Sequence, residues 1–261
     1  MPYVDRGDCR IHWQEAGEGT PILLVMGAVY SSEMWYPALP ALTANHRVIR
    51  YDNRGTGGST ATKVASIQDM ARDGLAVMDA AGVETAHVYG VSLGGVVALE
   101  LAMQAPERVR SLVLGCTGIL TADKPRAPKW MNNLFWLPQK SLVGRTRYGS
   151  ACPPEKAAVA RETLLRDRRK RRALVAQQNA LRAYAANPAD VAKLTMPSLV
   201  LHGTEDAIVP LVWGEELAAT LPDSRLVTYE GSGHNYVVEM DERANNDVLE
   251  FLEKADALDR V

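Results

Sequence analysis

No hydrophobic run in this 261-residue sequence is long enough to cross a bilayer. The longest, Pro21 to Tyr30, is broken by Gly27 and falls well short of the roughly 20 apolar residues a membrane helix needs. The first residues, Met1-Pro2-Tyr3-Val4-Asp5-Arg6, contain no basic stretch followed by an apolar one, so no secretory signal is expected and the chain reads as cytoplasmic. Cysteine is scarce. Cys9, Cys116 and Cys152 are odd in number and lack metal-type spacing, which excludes a disulfide framework and favours free thiols in a reducing compartment. A formal net charge of -2 gives no global attraction to nucleic acid or to a membrane surface. No glycine-rich phosphate loop, dinucleotide fingerprint or Cys/His cluster appears, so neither cofactor nor metal is expected. What is present is ordinary for a folded protein: 47% hydrophobic and 23% charged residues, enough for one large domain or a core carrying an insertion.

The near-neutral total conceals a step in charge. Residues 119–195 hold sixteen Lys and Arg against five acids, a net of +11, whereas the remainder carries a net of -13. Such a step marks a segment with its own surface. Its edges also read as junctions: Thr117-Gly118 leads in after an apolar run, and Asn187-Pro188 and Met196-Pro197 lead out.

Either side of that segment, short apolar runs alternate with amphipathic stretches. Strands are expected at Arg10 to Glu15, Pro21 to Met26, Arg47 to Tyr51, Ala86 to Gly90, Ser111 to Leu114, Ser198 to Leu201 and Arg225 to Tyr229. Ser111 to Leu114 and Ser198 to Leu201 are almost wholly apolar, as strands buried on both faces of a parallel sheet are. Helices are expected at Ser66 to Ala81, with Ser66 and Asp69 as a cap and Gly82 as the stop, and at Leu93 to Gln104, Pro210 to Leu221 and Asp247 to Ala257. The alternation argues for a three-layer α/β sandwich around a mainly parallel sheet.

The strongest chemical signal is Gly90-Val91-Ser92-Leu93-Gly94, a G-x-S-x-G pentapeptide between a strand and a helix. A turn that sharp holds its serine in a strained conformation and tolerates only small residues on either side. The following helix N-terminus presents unpaired N–H groups to an anion. A serine nucleophile needs a base, and the base an orienting acid. His12, His46 and His87 lie in or beside strands and read as structural, and His202 ends a strand. His234, in Gly231-Ser232-Gly233-His234-Asn235 after the last strand, is the candidate base. For the acid, Asp206 follows the strand Ser198 to Leu201, with Glu205 as its neighbour and competitor. Ser92, Asp206 and His234 all fall in loops at strand C-termini, where open α/β sheets place their sites.

These residues, together with Leu23-Leu24-Val25-Met26-Gly27, Tyr51-Asp52-Asn53-Arg54-Gly55-Thr56-Gly57, Gly95 and Leu201-His202-Gly203-Thr204-Glu205-Asp206, make the chain resemble the α/β-hydrolase superfamily. Within it the likeness is to the lid-bearing serine esterases, enol-lactonases and C–C hydrolases, over nearly all of the chain outside 119–195. The resemblance implies an α/β-hydrolase fold with a core at 1–118 and 196–261 and a helical cap at 119–195. It also implies a Ser92–His234–Asp206 triad, with the backbone N–H groups of Ala28 and Leu93 as the oxyanion hole. Met26 stands where the family commonly has a histidine before the oxyanion glycine, a position outside the proton-transfer scheme. Asp52 and Arg54 are expected to brace their loop as a buried pair. A serine rather than an aspartate at the elbow disfavours dehalogenase and epoxide-hydrolase chemistry.

The implied activity is hydrolysis of a carboxylic ester or lactone through an acyl-enzyme. The same fold and triad also serve C–C cleavage of a vinylogous diketone, enol-lactone hydrolysis and cofactor-free perhydrolysis, and a hydrolase-like ligand-binding protein with little turnover keeps them too. The expected partner is a small ester, lactone or diketone, with no nucleic acid and no membrane. In the cap, Trp130, Leu134, Phe135, Trp136 and Leu137 either pack it onto the core or line the pocket above Ser92, so Trp130, Phe135 and Trp136 are candidate substrate contacts. Arg166, Arg168, Arg169, Lys170, Arg171 and Arg172 go round a helix. They form either a solvated surface facing an acidic core or the neighbouring subunit of a homo-oligomer, or a lure for an anionic substrate.

Overall fold

A computed structural model of the chain describes residues 2–60, 66–125, 147–166 and 170–258. Eight strands form one sheet among the described residues: β1 (Tyr3–Asp5), β2 (Arg10–Ala16), β3 (Thr20–Val25), β4 (His46–Tyr51), β5 (Ala86–Val91), β6 (Val109–Gly115), β7 (Ser198–Gly203) and β8 (Ser224–Tyr229). Their order across the sheet is β1-β2-β4-β3-β5-β6-β7-β8. β2 runs antiparallel to β1 and β4, and every pairing from β4 onward is parallel. The sheet therefore reads as the sequence implied, with β1 added at its edge.

Among the described residues the α-helices are α1 (Leu39–Thr43), α2 (Ile67–Ala80), α3 (Leu93–Gln104), α4 (Pro154–Arg166), α5 (Lys170–Ala183), α6 (Pro188–Val191), α7 (Leu211–Thr220), α8 (Tyr236–Glu239) and α9 (Asp241–Leu258). Side chains of successive strand residues go to opposite layers. In β3, Leu23 and Val25 join a core with Met70 and Val77 of α2, Val97 and Leu101 of α3 and Leu217 of α7. Ile22 and Leu24 join a second core with Leu42 of α1 and Val248 and Leu252 of α9. Those two cores are the filling of a three-layer sandwich. α2 begins with the expected cap: the Ser66 hydroxyl accepts from the Asp69 N–H at 3.0 Å, and the Asp69 carboxylate accepts from the Ser66 N–H at 3.4 Å. Between β6 and β7 the chain leaves the sheet for α4, α5 and α6.

Of the histidines read as structural, His12 and His87 are hydrogen-bonded in the core. His12 Nδ1 lies 2.9 Å from Asp52 Oδ2, and His87 lies 2.7 Å from Ser111 Oγ and 3.0 Å from Asp256 Oδ1, with His46 packed edge-on against it. Burial lowers the His87 imidazole from its ordinary 6.5 to about 4, against the opposing pull of Asp256. The native state thus favours neutral His87, while the unfolded chain binds a proton below pH 6.5. The stabilisation is complete above that pH and is lost as pH falls toward 4, by roughly 3 kcal/mol. Urea unfolding at pH 7 and pH 5 checks this: the midpoint should fall in the wild type and fall much less in His87→Asn.

Asp52 and Arg54 are both buried and both brace loops, as expected, but through different partners rather than each other. Asp52 accepts from the N–H groups of Ser32 at 2.7 Å and Gly58 at 2.8 Å, besides its bond to His12. Arg54 forms a fork with Asp73, its Nε donating to one carboxylate oxygen at 2.5 Å and its Nη2 to the other at 2.9 Å, and it reaches Asp8 as well. No helix among the described residues is long and apolar enough to cross a membrane.

Candidate active site

The elbow between β5 and α3 follows from its residue types. Ser92 has φ 57° and ψ -120°, a left-handed conformation that a non-glycine residue adopts only where the surroundings hold it. Its N–H donates to the Gly115 carbonyl at 2.8 Å, and its own carbonyl accepts from Gly95 N–H at 2.9 Å and from the Thr117 hydroxyl at 3.0 Å. These bonds clamp the backbone between β6 and the first turn of α3, leaving the hydroxyl projecting from the turn.

The fold brings His234 and Asp206 to that hydroxyl from two later loops. His234 Nδ1 lies 2.8 Å from Asp206 Oδ2, and His234 Nε2 lies 3.0 Å from Ser92 Oγ. With Nδ1–H donating to the carboxylate, Nε2 is left to accept the serine proton. Glu205 points elsewhere: it is exposed and accepts from the N–H and hydroxyl of Ser150, both at 2.6 Å. Asp206 is buried. Burial alone would raise its carboxyl, but the facing His234, hydrogen bonds from His202 and His234, and the Val209 N–H hold it well below the usual carboxylate range. Its second oxygen accepts from the N–H groups of Ile208 at 2.8 Å and Val209 at 2.9 Å. The carboxylate is therefore kept charged and fixed.

Ala28 and Leu93, the two backbone donors inferred for the oxyanion, both line the cavity that contains Ser92 and His234. Among the described residues neither N–H meets an acceptor. Gly27 makes the approach feasible, since a Cβ there would lie 3.3 Å from both Ser92 Cβ and the Val91 carbonyl oxygen. Met26, in the place of the family's histidine, has its carbonyl held by Asn53 Nδ2 at 2.7 Å.

The cavity measures about 190 Å³ and is walled mainly by apolar groups, among them Met34, Val96, Leu181, Trp213 and Val238. Trp130, Phe135 and Trp136 lie outside the described residues, as do Leu134, Leu137, Arg168 and Arg169. Arg166 is exposed and pairs with Glu162, one turn back on its own helix, at 3.1 Å. Among the described residues, the basic side chains that line the cavity are Arg147 and Arg182, which charge patterning along the sequence does not pick out. Thr117, Gln177 and Glu239 were missed as well. The Glu239 carboxylate accepts from the N–H groups of Gly149 at 2.8 Å and Gly233 at 3.0 Å and so braces the His234 loop. The Glu239–Gly149 contact joins residues 90 positions apart in the chain, so no local pattern announces it.

Among the described residues, two clusters could in geometry present ligands to a metal: His46, His87 and Asp256, and Cys116, His202 and Asp206. Several of these side chains are already hydrogen-bonded to one another or to the backbone. His87 bonds Asp256, and His202 Nε2 donates to the Val209 carbonyl at 2.9 Å while lying 3.5 Å from Asp206 Oδ2. His202 thus stands behind the acid rather than beside the serine.

An elbow serine at the C-terminal edge of a mainly parallel sheet, with a histidine and a carboxylate delivered from later loops, defines an α/β hydrolase. The chain belongs to the alpha/beta hydrolase fold family, whose model matches residues 20–240, and it is a hydrolase. It is similar, at 33% identity over 98% of this chain and the whole of the relative, to a protein of Azorhizobium caulinodans named "Putative carbamate hydrolase RutD". Among solved structures it is similar to a thermophilic esterase from Thermogutta terrifontis, at 25% identity and a TM-score of 0.84, over 97% of this chain and 96% of that one. An enol-lactonase from Burkholderia xenovorans LB400 shares the fold, with a TM-score of 0.84 at 24% identity over 97% of this chain and all of that one.

Proposed function

We propose that the chain hydrolyses a small carboxylic ester or lactone by a serine acyl-enzyme mechanism. The observation that carries this reading is the unbroken hydrogen-bonded line from Asp206 through His234 to Ser92 Oγ, at 2.8 Å and 3.0 Å, opening on an apolar cavity. His234 takes the serine proton as Oγ attacks the carbonyl carbon, and Asp206 stabilises the imidazolium that forms. The carbonyl oxygen becomes an oxyanion held by the N–H groups of Ala28 and Leu93. His234 then protonates the departing alkoxide, and water, activated by the same imidazole, releases the acid.

A cavity of about 190 Å³ lies below the roughly 300–1,000 Å³ of sites for drug-sized ligands, which favours a compact acyl group. The arrangement is equally suited to a carbamate carbonyl, and the similarity to the Azorhizobium caulinodans protein over 98% of this chain supports that second reading. Nitrogen donation makes a carbamate carbonyl less electrophilic, so it leans harder on the oxyanion donors. A panel of p-nitrophenyl acetate, butyrate and octanoate beside phenyl carbamate tests both readings. Turnover of the short esters, falling with chain length, is the expected result. Carbamate turnover exceeding that of every ester would replace the ester assignment, and no turnover of any would refute both.

The core-and-cap division, with the core at 1–118 and 196–261 and the cap at 119–195, belongs to the same proposal. So does a small ester, lactone or diketone as the partner.

A further inference from the structure

Gln177 of α5, within the proposed cap, reaches the loop that carries Ala28. Gln177 is fully buried. Its Oε1 accepts from the Val29 N–H at 2.9 Å, and its Nε2 donates to the Arg54 carbonyl at 3.2 Å. One amide therefore ties together the loop after β3 and the loop after β4, and both of its ends are satisfied in a place where an unpaired polar group would be costly.

The residue held is not an easy one. Val29 has φ 67°, and a β-branched side chain in the left-handed region is a genuine outlier. The N–H that Gln177 grips belongs to the peptide joining Ala28 to Val29. Rotating that peptide until the Val29 φ turned negative would relieve the strain. It would also carry the N–H away from Gln177 and change the conformation of Ala28. The hydrogen bond from the cap thus opposes the relaxation that the backbone itself favours. The same helix places Gln178, Leu181 and Arg182 in the cavity wall, so seating α5 shapes the pocket and fixes the loop in one movement.

We propose that Gln177 is a positioning residue: it holds the Ala28 loop in its donor-ready form and makes carbonyl activation depend on the seating of the cap. The inference rests on the reading of Ala28 and Leu93 as oxyanion donors. Gln177 touches no reacting atom, and its effect is exerted through Val29.

The test compares wild type, Gln177→Met and Gln177→Glu for p-nitrophenyl acetate kinetics, for inhibition by phenylboronic acid, and for Tm. Phenylboronic acid forms a tetrahedral adduct with a competent serine and so reads the oxyanion site rather than ground-state binding. Met keeps the bulk and removes both hydrogen bonds. Glu keeps the acceptor and, protonated as burial favours, can still donate to Arg54. Losing one oxyanion donor outright costs about 100- to 1,000-fold in kcat, and loosening one should cost about 10- to 100-fold. In Gln177→Met we expect kcat to fall and the boronate Ki to rise by that shared factor, with KM within about twofold, and Gln177→Glu to recover most of both. Unchanged kcat and boronate affinity in Gln177→Met would overturn the proposal, as would equal losses in Met and Glu. If Gln177→Met does not fold, Gln177→Glu decides alone: near-native boronate affinity supports the proposal, and a loss beyond tenfold overturns it. A wild type that neither turns over the ester nor binds the boronate would instead remove the acyl-enzyme reading, independently of Gln177.

Discussion

Ser92→Ala should lower kcat for a short p-nitrophenyl ester by about 10⁴- to 10⁶-fold while leaving Tm within a few degrees of wild type. That factor corresponds to about 5–8 kcal/mol of lost transition-state stabilisation. The substitution removes one oxygen from a half-buried side chain and leaves the backbone bonds to Gly115 and Gly95 in place, so little stability is at stake. Activity that survives in the purified variant within tenfold of wild type would exclude Ser92 as nucleophile.

The acid gives a sharper comparison, because two neighbouring carboxylates compete for the role in the sequence and separate in the structure. Asp206→Asn keeps the shape but replaces the acceptor that fixes the His234 tautomer, and kcat should fall by about 10³- to 10⁴-fold. Glu205→Gln, at an exposed carboxylate 2.6 Å from Ser150, should leave kcat unchanged. The double variant Ser92→Ala/Asp206→Asn should be hardly worse than Ser92→Ala, since residues acting as a unit do not add.

Much of this was legible because the signals are local. Alternating apolar runs expose strands, the Ser66 cap and Gly82 bound a helix, and the elbow packs its requirements into five residues. Elements without such a signal were missed. β1 (Tyr3–Asp5) has three residues with only Val4 half-buried, too short for any period to show. α9 begins at Asp241, six residues before the expected start, because its first two turns, Asp-Glu-Arg-Ala-Asn-Asn, bury only Ala244 and read as loop. α1 is five residues with a proline in its first turn.

The site divides along the same line. Ser92, Asp206 and His234 could be named because each stands in a strand-end loop with its own glycine or acid pattern. The parts that tune them could not. Gln177 meets Val29 across 148 positions of sequence, and its own surroundings, Gln-Gln-Asn-Ala-Leu-Arg, spell an ordinary amphipathic helix. Arg147 and Arg182 line the cavity, whereas the conspicuous arginine run begins with an exposed residue, Arg166. Charge density along a chain reports composition, and only the docking of helices decides which charges face inward.

Gly94→Ala should do what Ser92→Ala does not, and destroy activity through the fold. A Cβ on Gly94 would lie 1.9 Å from the Val25 carbonyl oxygen and 2.9 Å from that of Met26. Both are backbone atoms of the strand and loop that lead to Ala28, the proposed oxyanion donor, so no side chain can rotate out of the way. The first turn of α3 must instead move off β3, taking the Leu93 N–H with it and separating it from that of Ala28. Overpacking a rigid core costs typically 1–3 kcal/mol and occasionally more. A clash this close with backbone belongs at or above the upper end, and for a domain this large 3 kcal/mol corresponds to a Tm lower by about 6–12 °C. Activity should fall by at least 100-fold even well below the new Tm, the loss expected when one oxyanion donor is withdrawn. Gly82→Ala is the control, because Gly82 has φ 65° but nothing within 4 Å of its added Cβ. It should incur only the left-handed strain of about 1–2 kcal/mol and keep full kcat. Thermal melts and ester kinetics on the two variants separate the causes: a Tm loss in Gly94→Ala no larger than that of Gly82→Ala would mean that α3 yields to the added Cβ at little cost, whereas a larger loss confined to Gly94, accompanied by lost turnover, ties the G-x-S-x-G spacing to the contact between α3 and the end of β3.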